Sequence, residues 1–207
     1  MTIVNSYQQI AESLLARPLT PDDGFSLKLL REVERRLAKK LPEPLISLYS
    51  TIGRLPQFMS AFQLFALPEQ LYYEQDLLIF LEENEGVCYW GVDDQLNVFQ
   101  CEENYDRYDL KLTLAEFLQI ILYYQVAQSA EYVYCSNLLD QELAPLYQED
   151  NWQLVVNQDD LVIYHLKTYL IWFFKDEDGE VLDDIVYFVS LLEIPQQMII
   201  KYVLEEL

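Results

Sequence analysis

Three cysteines, Cys88, Cys101 and Cys135, and one histidine, His165, are the soft metal ligands and near-neutral acid–base groups of this 207-residue protein. No two cysteines form a CxxC pair. Neither a zinc ribbon nor a disulfide scaffold is spelled out, and the thiols read as small buried hydrophobes in a reducing compartment. Cys88 and Cys101 are placed to face one another across a hairpin, a thiol pair with no third ligand. A lone histidine on an apolar strand reads as a core residue. No serine or cysteine occupies a nucleophile motif. Carboxylates are the abundant chemistry, yet the adjacent pairs Glu82-Glu83 and Asp93-Asp94 point to opposite faces of an extended segment. The runs Asp159-Asp160 and Asp176-Glu177-Asp178-Gly179 lack the spaced ligands and terminal glutamate of an EF-hand loop. The expectation is therefore no catalytic residue, no cofactor and no metal site.

What the acids offer instead is charge. Between Glu69 and Asp109 twelve carboxylates accompany a single cation, Arg107. Glu82, Glu83, Glu85, Asp93, Asp94, Glu102 and Glu103 lie at the turns of a strand meander, where several turns are expected to share one edge. Tyr72, Tyr73, Tyr89, Tyr105 and Tyr108 are interleaved with them. Carboxylates mimic phosphates and tyrosine rings supply rigid apolar area, a combination suited to covering a basic protein cleft. The candidate binding residues are accordingly Tyr72, Tyr73, Glu82, Glu83, Glu85, Asp93, Asp94, Glu102, Glu103 and Tyr105. Trp90 joins them as a candidate cleft lining, although a tryptophan on a central strand reads first as core. The plain alternative is a solvated acidic rim with half-buried tyrosines.

In all, 35 Asp+Glu stand against 13 Lys+Arg, a net charge of −22. Such a surface repels nucleic-acid phosphates and anionic membranes, so the expected partner is a basic protein. Hydrophobic residues make up 52% of the sequence, enough for a sizeable core. The N-terminus has no signal-peptide pattern, and the longest apolar stretch, 161–174, contains His165 and Lys167 and is too short to span a bilayer. A soluble, cytoplasmic protein is expected, as a monomer or weak homodimer.

The elements that must position these residues follow from periodicity. Helical spacing of Ile3, Tyr7, Ile10 and Leu14 predicts a first helix over 3–16. Ser26 caps a second, over 26–40, with Leu27, Leu30, Val33 and Leu37 inward. That helix carries six cations, Lys28, Arg31, Arg35, Arg36, Lys39 and Lys40, against Glu32 and Glu34, a local charge of +4. It reads as a solvated face or a contact for an acidic surface. Leu45, Leu48, Tyr49 and Ile52 line a third helix, ended by Gly53. Strands at 77–81, 87–92 and 96–101 form an antiparallel meander. Thr113-Leu114-Ala115-Glu116 is a capping box opening a helix to about Gln128, with Leu114, Phe117, Leu118, Ile121 and Leu122 inward. Further strands are expected at 161–165, 168–174 and 181–189, the last two joined by an Asp-Gly hairpin, before a helix starting at Pro195. The fold class is α+β: a mainly antiparallel sheet packed against helices. One domain over 1–207 is expected, with a core at about 26–128 and a strand-hairpin and helix extension of the same sheet at about 129–207. A seam near 140–150 would make it two.

Three ordered pieces carry a family resemblance. A charged helix leads into Leu41-Pro42 and then Leu45, Leu48, Tyr49 and Ile52-Gly53. Phe80, Glu83-Asn84-Glu85-Gly86-Val87 and Trp90-Gly91-Val92 come next, and the helix Leu114-Ala115-Glu116-Phe117-Leu118 follows. Over about half the sequence this set resembles the SUKH superfamily, which includes a yeast glucan-synthesis regulator, Syd-like proteins and many bacterial immunity proteins. Relatives often have glutamine where this protein has Glu85. The resemblance implies an α+β fold and a protein-binding role without catalysis: an antidote to a nuclease- or deaminase-type toxin, or alternatively an adaptor or regulator of cell-wall glucan synthesis. A small carboxylate-based hydrolase is the third alternative, requiring converging acids. In the expected fold, Gly86 and Gly91 serve a positive φ or a close approach, and Trp90 fastens the sheet to the helix at 26–40.

Overall fold

The computed structural model of the protein describes residues 3–102, 106–136, 138 and 140–207. Helices α1 (Ile3–Leu15), α2 (Leu27–Leu37), α3 (Glu43–Ile52) and α4 (Pro56–Met59) come first. Six strands follow: β1 (Leu64–Phe65), β2 (Tyr72–Glu74), β3 (Leu77–Glu82), β4 (Cys88–Val92), β5 (Asn97–Glu102) and β6 (Arg107–Thr113). After α5 (Leu114–Ser129) come β7 (Tyr132–Ser136), α6 (Asp140–Glu149), β8 (Gln153–Gln158), β9 (Leu161–Leu166), β10 (Tyr169–Phe174), β11 (Val186–Ser190), α7 (Gln196–Lys201) and β12 (Leu204–Glu206). The fold is α+β with two antiparallel sheets. The polypeptide divides into two compact units: Glu12–Arg17 with Val126–Leu207 form the second, and the rest, through Gln125, the first.

In the first unit the order is β1-β3-β4-β5-β6, with β2 pairing β3 beside β1. Local chemistry explains the helices. Ser26 Oγ accepts from the Leu29 N–H at 3.3 Å, and Glu116 and Thr113 exchange the capping-box bonds that open α5. Leu45, Leu48, Tyr49 and Ile52 are fully buried, as their spacing requires, and the Tyr49 hydroxyl donates to the Ala66 carbonyl at 2.6 Å. All five inward residues expected of α5 are buried, and Tyr123, Gln125 and Ala127 are too, so that helix is enclosed nearly all round.

Trp90 packs its ring 6.1 Å from Phe117, which also meets Phe80 edge-on at 5.9 Å. The sheet is thus fastened through Trp90 to α5, where the helix at 26–40 is the expected partner. The opposite face carries Leu77, Ile79 and Cys101 with Tyr89 and Phe99. Gly91 sits on that face, where a Cβ would lie 2.8 Å from both Ile79 Cδ1 and Leu77 Cβ, the close approach expected of it. Gly86 has φ +75°, the turn conformation expected of it.

The later strands do not extend this sheet. They form a second one, ordered β12-β7-β11-β10-β9-β8. Its central partners are far apart in sequence: β7 pairs β11 on one side and β12 on the other. One face carries the aromatic cluster of Trp152, Phe188 and Tyr202, closed by Leu143 and Tyr147 of α6. The stretch expected as one strand over 181–189 is broken. Asp183 and Asp184 adopt φ of 56°, a left-handed turn that aspartate tolerates, before β11 begins. The Asp-Gly hairpin forms as expected, with Gly179 at φ +84° and the Asp176 carboxylate accepting from the N–H of Asp178 and Glu180.

Candidate functional site

Consecutive turns of an antiparallel meander fall at alternate ends of the sheet. Glu82, Glu83, Glu85 and Glu102 occur at one end, where Glu82 pairs with Tyr89 and Cys88 with Glu102. Asp93 and Asp94 follow Val92 at the other end, beside Leu78. β4 spans five residues, so the two groups stand about 15 Å apart. The expectation that several acidic turns share one edge holds for Glu82, Glu83, Glu85 and Glu102 and fails for Asp93 and Asp94, which stand at the opposite end.

The two ends are built differently. At the far end, Asp93 is spent on its own turn: Oδ1 accepts from the N–H of Gln95 and Asn97 at 2.9 and 2.8 Å, and Oδ2 accepts from the Asn97 side chain. Asp94 pairs with Lys39 at 3.3 Å, and that same ammonium sits 4.4 Å from the centre of the Tyr73 ring. Lys39, read as part of a solvated helix face, therefore ties down two candidate residues at once. Three other cations of that segment are also engaged. Arg35 pairs with Glu32, Lys40 with Glu34, and Arg36 donates to the Leu71 carbonyl at 2.6 Å.

At the near end, Glu83 spends one carboxylate oxygen on the N–H groups of Glu85 and Val87. Glu82 and Glu85 are exposed and Glu102 is half-buried, and none of the three forms an ion pair among the described residues. Beside them Tyr72 is 47% and Val87 62% exposed. Partial burial raises the Tyr72 phenol above its ordinary pKa, and the negative charges of Glu74 and Glu82 raise it further. Tyr89 is turned away to donate to Glu74 at 2.7 Å, and Arg107 donates to the Gln75 carbonyl at 2.6 Å.

Trp90 is only 7% exposed, so it belongs to the core and lines no cleft. Glu103 and Tyr105 lie outside the described residues. Cys88 stands opposite Glu102 and Cys101 opposite Tyr89, which corrects the facing thiol pair; all three cysteines are free. Among the described residues no three His, Cys, Asp or Glu side chains gather as metal ligands, and no helix is long and apolar enough to cross a membrane. His165 is half-buried, and because a carbonyl only accepts, its Nε2 carries the hydrogen donated to Lys167 O at 2.7 Å. Burial lowers its pKa, against the opposing effect of that bond.

The near end is thus an acidic, tyrosine-bearing surface with un-neutralised charge, while the far end is internally satisfied. Comparison of the sequence and fold with protein-family models, curated proteins and solved structures finds no match.

Proposed function

We propose that this protein is a non-enzymatic protein-binding module of the SUKH type. In this reading it is an immunity protein that neutralises a nuclease- or deaminase-type toxin by covering its basic cleft. The observation that carries the reading is a set of carboxylates with no ion pair among the described residues, Glu82, Glu85 and Glu102, beside exposed Tyr72 and Val87. Like charges held on one sheet end repel one another, and a cationic partner removes that repulsion while ordering the carboxylates as phosphate substitutes. Tyr72 and Val87 add apolar contact at low conformational cost. The motif residues Glu83-Asn84-Glu85-Gly86-Val87 supply the turn that presents this surface.

The test is stoichiometric inhibition. A nuclease- or deaminase-type toxin domain encoded beside this protein's gene is expected to lose its activity at one equivalent of the protein. Full toxin activity at a large molar excess of the protein contradicts the proposal.

A further inference from the structure

Residues 126–207 contain sixteen carboxylates and only three cations, Lys167, Lys175 and Lys201. Two of the three line a single cleft of about 400 Å³ in the second unit. They arrive from different elements: the Lys201 ammonium is held by ion pairs, while at Lys167 it is the backbone that is fixed.

Lys167 stands in the two-residue turn between β9 and β10, where Leu166 pairs with Tyr169. Its φ is 56°, a left-handed conformation that glycine or asparagine adopts at lower cost. The turn is pinned nonetheless, because the Lys167 carbonyl accepts from Ser13 Oγ and from His165 Nε2, each at 2.7 Å. The side chain itself is exposed.

Lys201 stands on α7 and is anchored from beneath. Trp152 Nε1 donates to the Tyr202 hydroxyl at 2.7 Å, and that hydroxyl donates to Asp150 Oδ2 at 2.5 Å. The other Asp150 oxygen accepts from Lys201 Nζ at 2.7 Å. Tyr202 is fully buried and Trp152 nearly so, so Asp150 is a fixed counter-ion. Burial alone would raise the Asp150 carboxyl, but the bonds from Lys201 and Tyr202, with the charge of Lys167, hold it below its ordinary pKa. Glu149 is different: it meets Lys201 at 3.3 Å while its side chain is 67% exposed, so it is a replaceable partner.

Two lysines against one fixed aspartate leave a single surplus positive charge, which Glu149 occupies. Leu166, Tyr169 and Met198 give the cleft its apolar lining, and Gln197 contributes an amide. We infer that this cleft binds a monoanionic organic carboxylate with an aromatic or hydrocarbon body, the ligand taking the place of Glu149 on Lys201 with Lys167 as second cation. A free acid and the terminal carboxylate of a peptide present the same group. A phosphate dianion carries one charge more than the cleft offers.

The probes are N-acetylphenylalanine, its uncharged amide and inorganic phosphate, followed by methyl NMR of Leu166 and Met198. The acid is expected to shift these signals saturably, with Kd on the order of 1 mM for a ligand of this size. The amide and phosphate should bind at least about tenfold more weakly, because the surplus charge is what selects the acid. Hydrocinnamate and an acetylated tetrapeptide ending in phenylalanine separate the two sources of the carboxylate, the tighter binder naming the source. Lys167→Met should weaken the acid by about tenfold with thermal unfolding unchanged, and Glu149→Gln should tighten it severalfold by removing the internal competitor. The inference is overturned if the acid produces no saturable shift, if amide or phosphate binds as tightly as the acid, or if Lys167→Met binds like wild type.

Discussion

Replacing Gln125 with methionine should destabilise the first unit by about 3 kcal/mol, although the two side chains match in length. Gln125 is 1% exposed. Its Oε1 accepts from the N–H of both Phe62 and Gln63 at 2.8 Å, and its Nε2 donates to the Gln63 carbonyl at 2.6 Å. Methionine leaves two donors and one acceptor without partners, at roughly 1–3 kcal/mol for each that stays dry. Against this, the thioether gains roughly 1 kcal/mol of apolar burial. Phe62 is half-buried, so water relieves part of its cost. The orphaned groups outweigh the burial gain. Urea denaturation should show the loss with an unchanged m-value; a loss below about 1 kcal/mol would mean that the 60–65 connection does not depend on this amide.

Gly24→Ala should cost about as much, roughly 3 kcal/mol or more, for a purely steric reason. Gly24 has φ −120° and ψ 170°, an extended conformation open to any residue. A Cβ there would lie 1.9 Å from the Ser50 carbonyl oxygen and 2.4 Å from its carbon, and these are backbone atoms of α3 that cannot swing aside. Moving the segment away breaks the bonds that hold it to the end of α3, from Phe25 N–H to Tyr49 O at 2.8 Å and from Arg54 N–H to Asp23 O at 2.9 Å. Gly86→Ala provides the contrast. Its added methyl meets nothing closer than 3.8 Å, so only the positive φ opposes it, at about 1 kcal/mol. Equal losses for the two variants would contradict this account.

Periodicity and capping residues locate α2, α3, α5 and the β3–β5 meander because those signals are local: Ser26, Gly53, Thr113 with Glu116, and alternation bounded by glycine and aspartate turns. The second sheet is legible only as strands. Nothing between 129 and 207 states which strand pairs with which, and the pairing of β7 with both β11 and β12 joins residues some 50 to 70 positions apart. β6 gives no apolar alternation to read, because it is an edge strand with Arg107, Tyr108 and Asp109 all exposed. α6 is hidden by Pro145, which sits inside the helix and disguises its pattern.

Of the site, the composition is legible and the geometry is not. The counts of acid and tyrosine between 69 and 109 identify the acidic surface, but its division into two ends follows from turn parity, a signal the strand order already contains. The pairing of Lys39 with Asp94, 55 positions away, requires the fold. So does the second cleft, since nothing in the spacing of Lys167 and Lys201 says that they share one wall.

The measurement that bears most directly on the proposed function is the association rate with the toxin domain encoded beside the gene, taken across ionic strength. Wild type should associate rapidly and slow steeply with added salt. The Glu82→Gln, Glu85→Gln, Glu102→Gln triple variant should associate about tenfold more slowly at low salt with a shallower salt dependence, while Asp94→Asn, at the internally paired end, should match wild type. If the triple variant keeps the wild-type rate and salt slope, recognition does not operate through this surface.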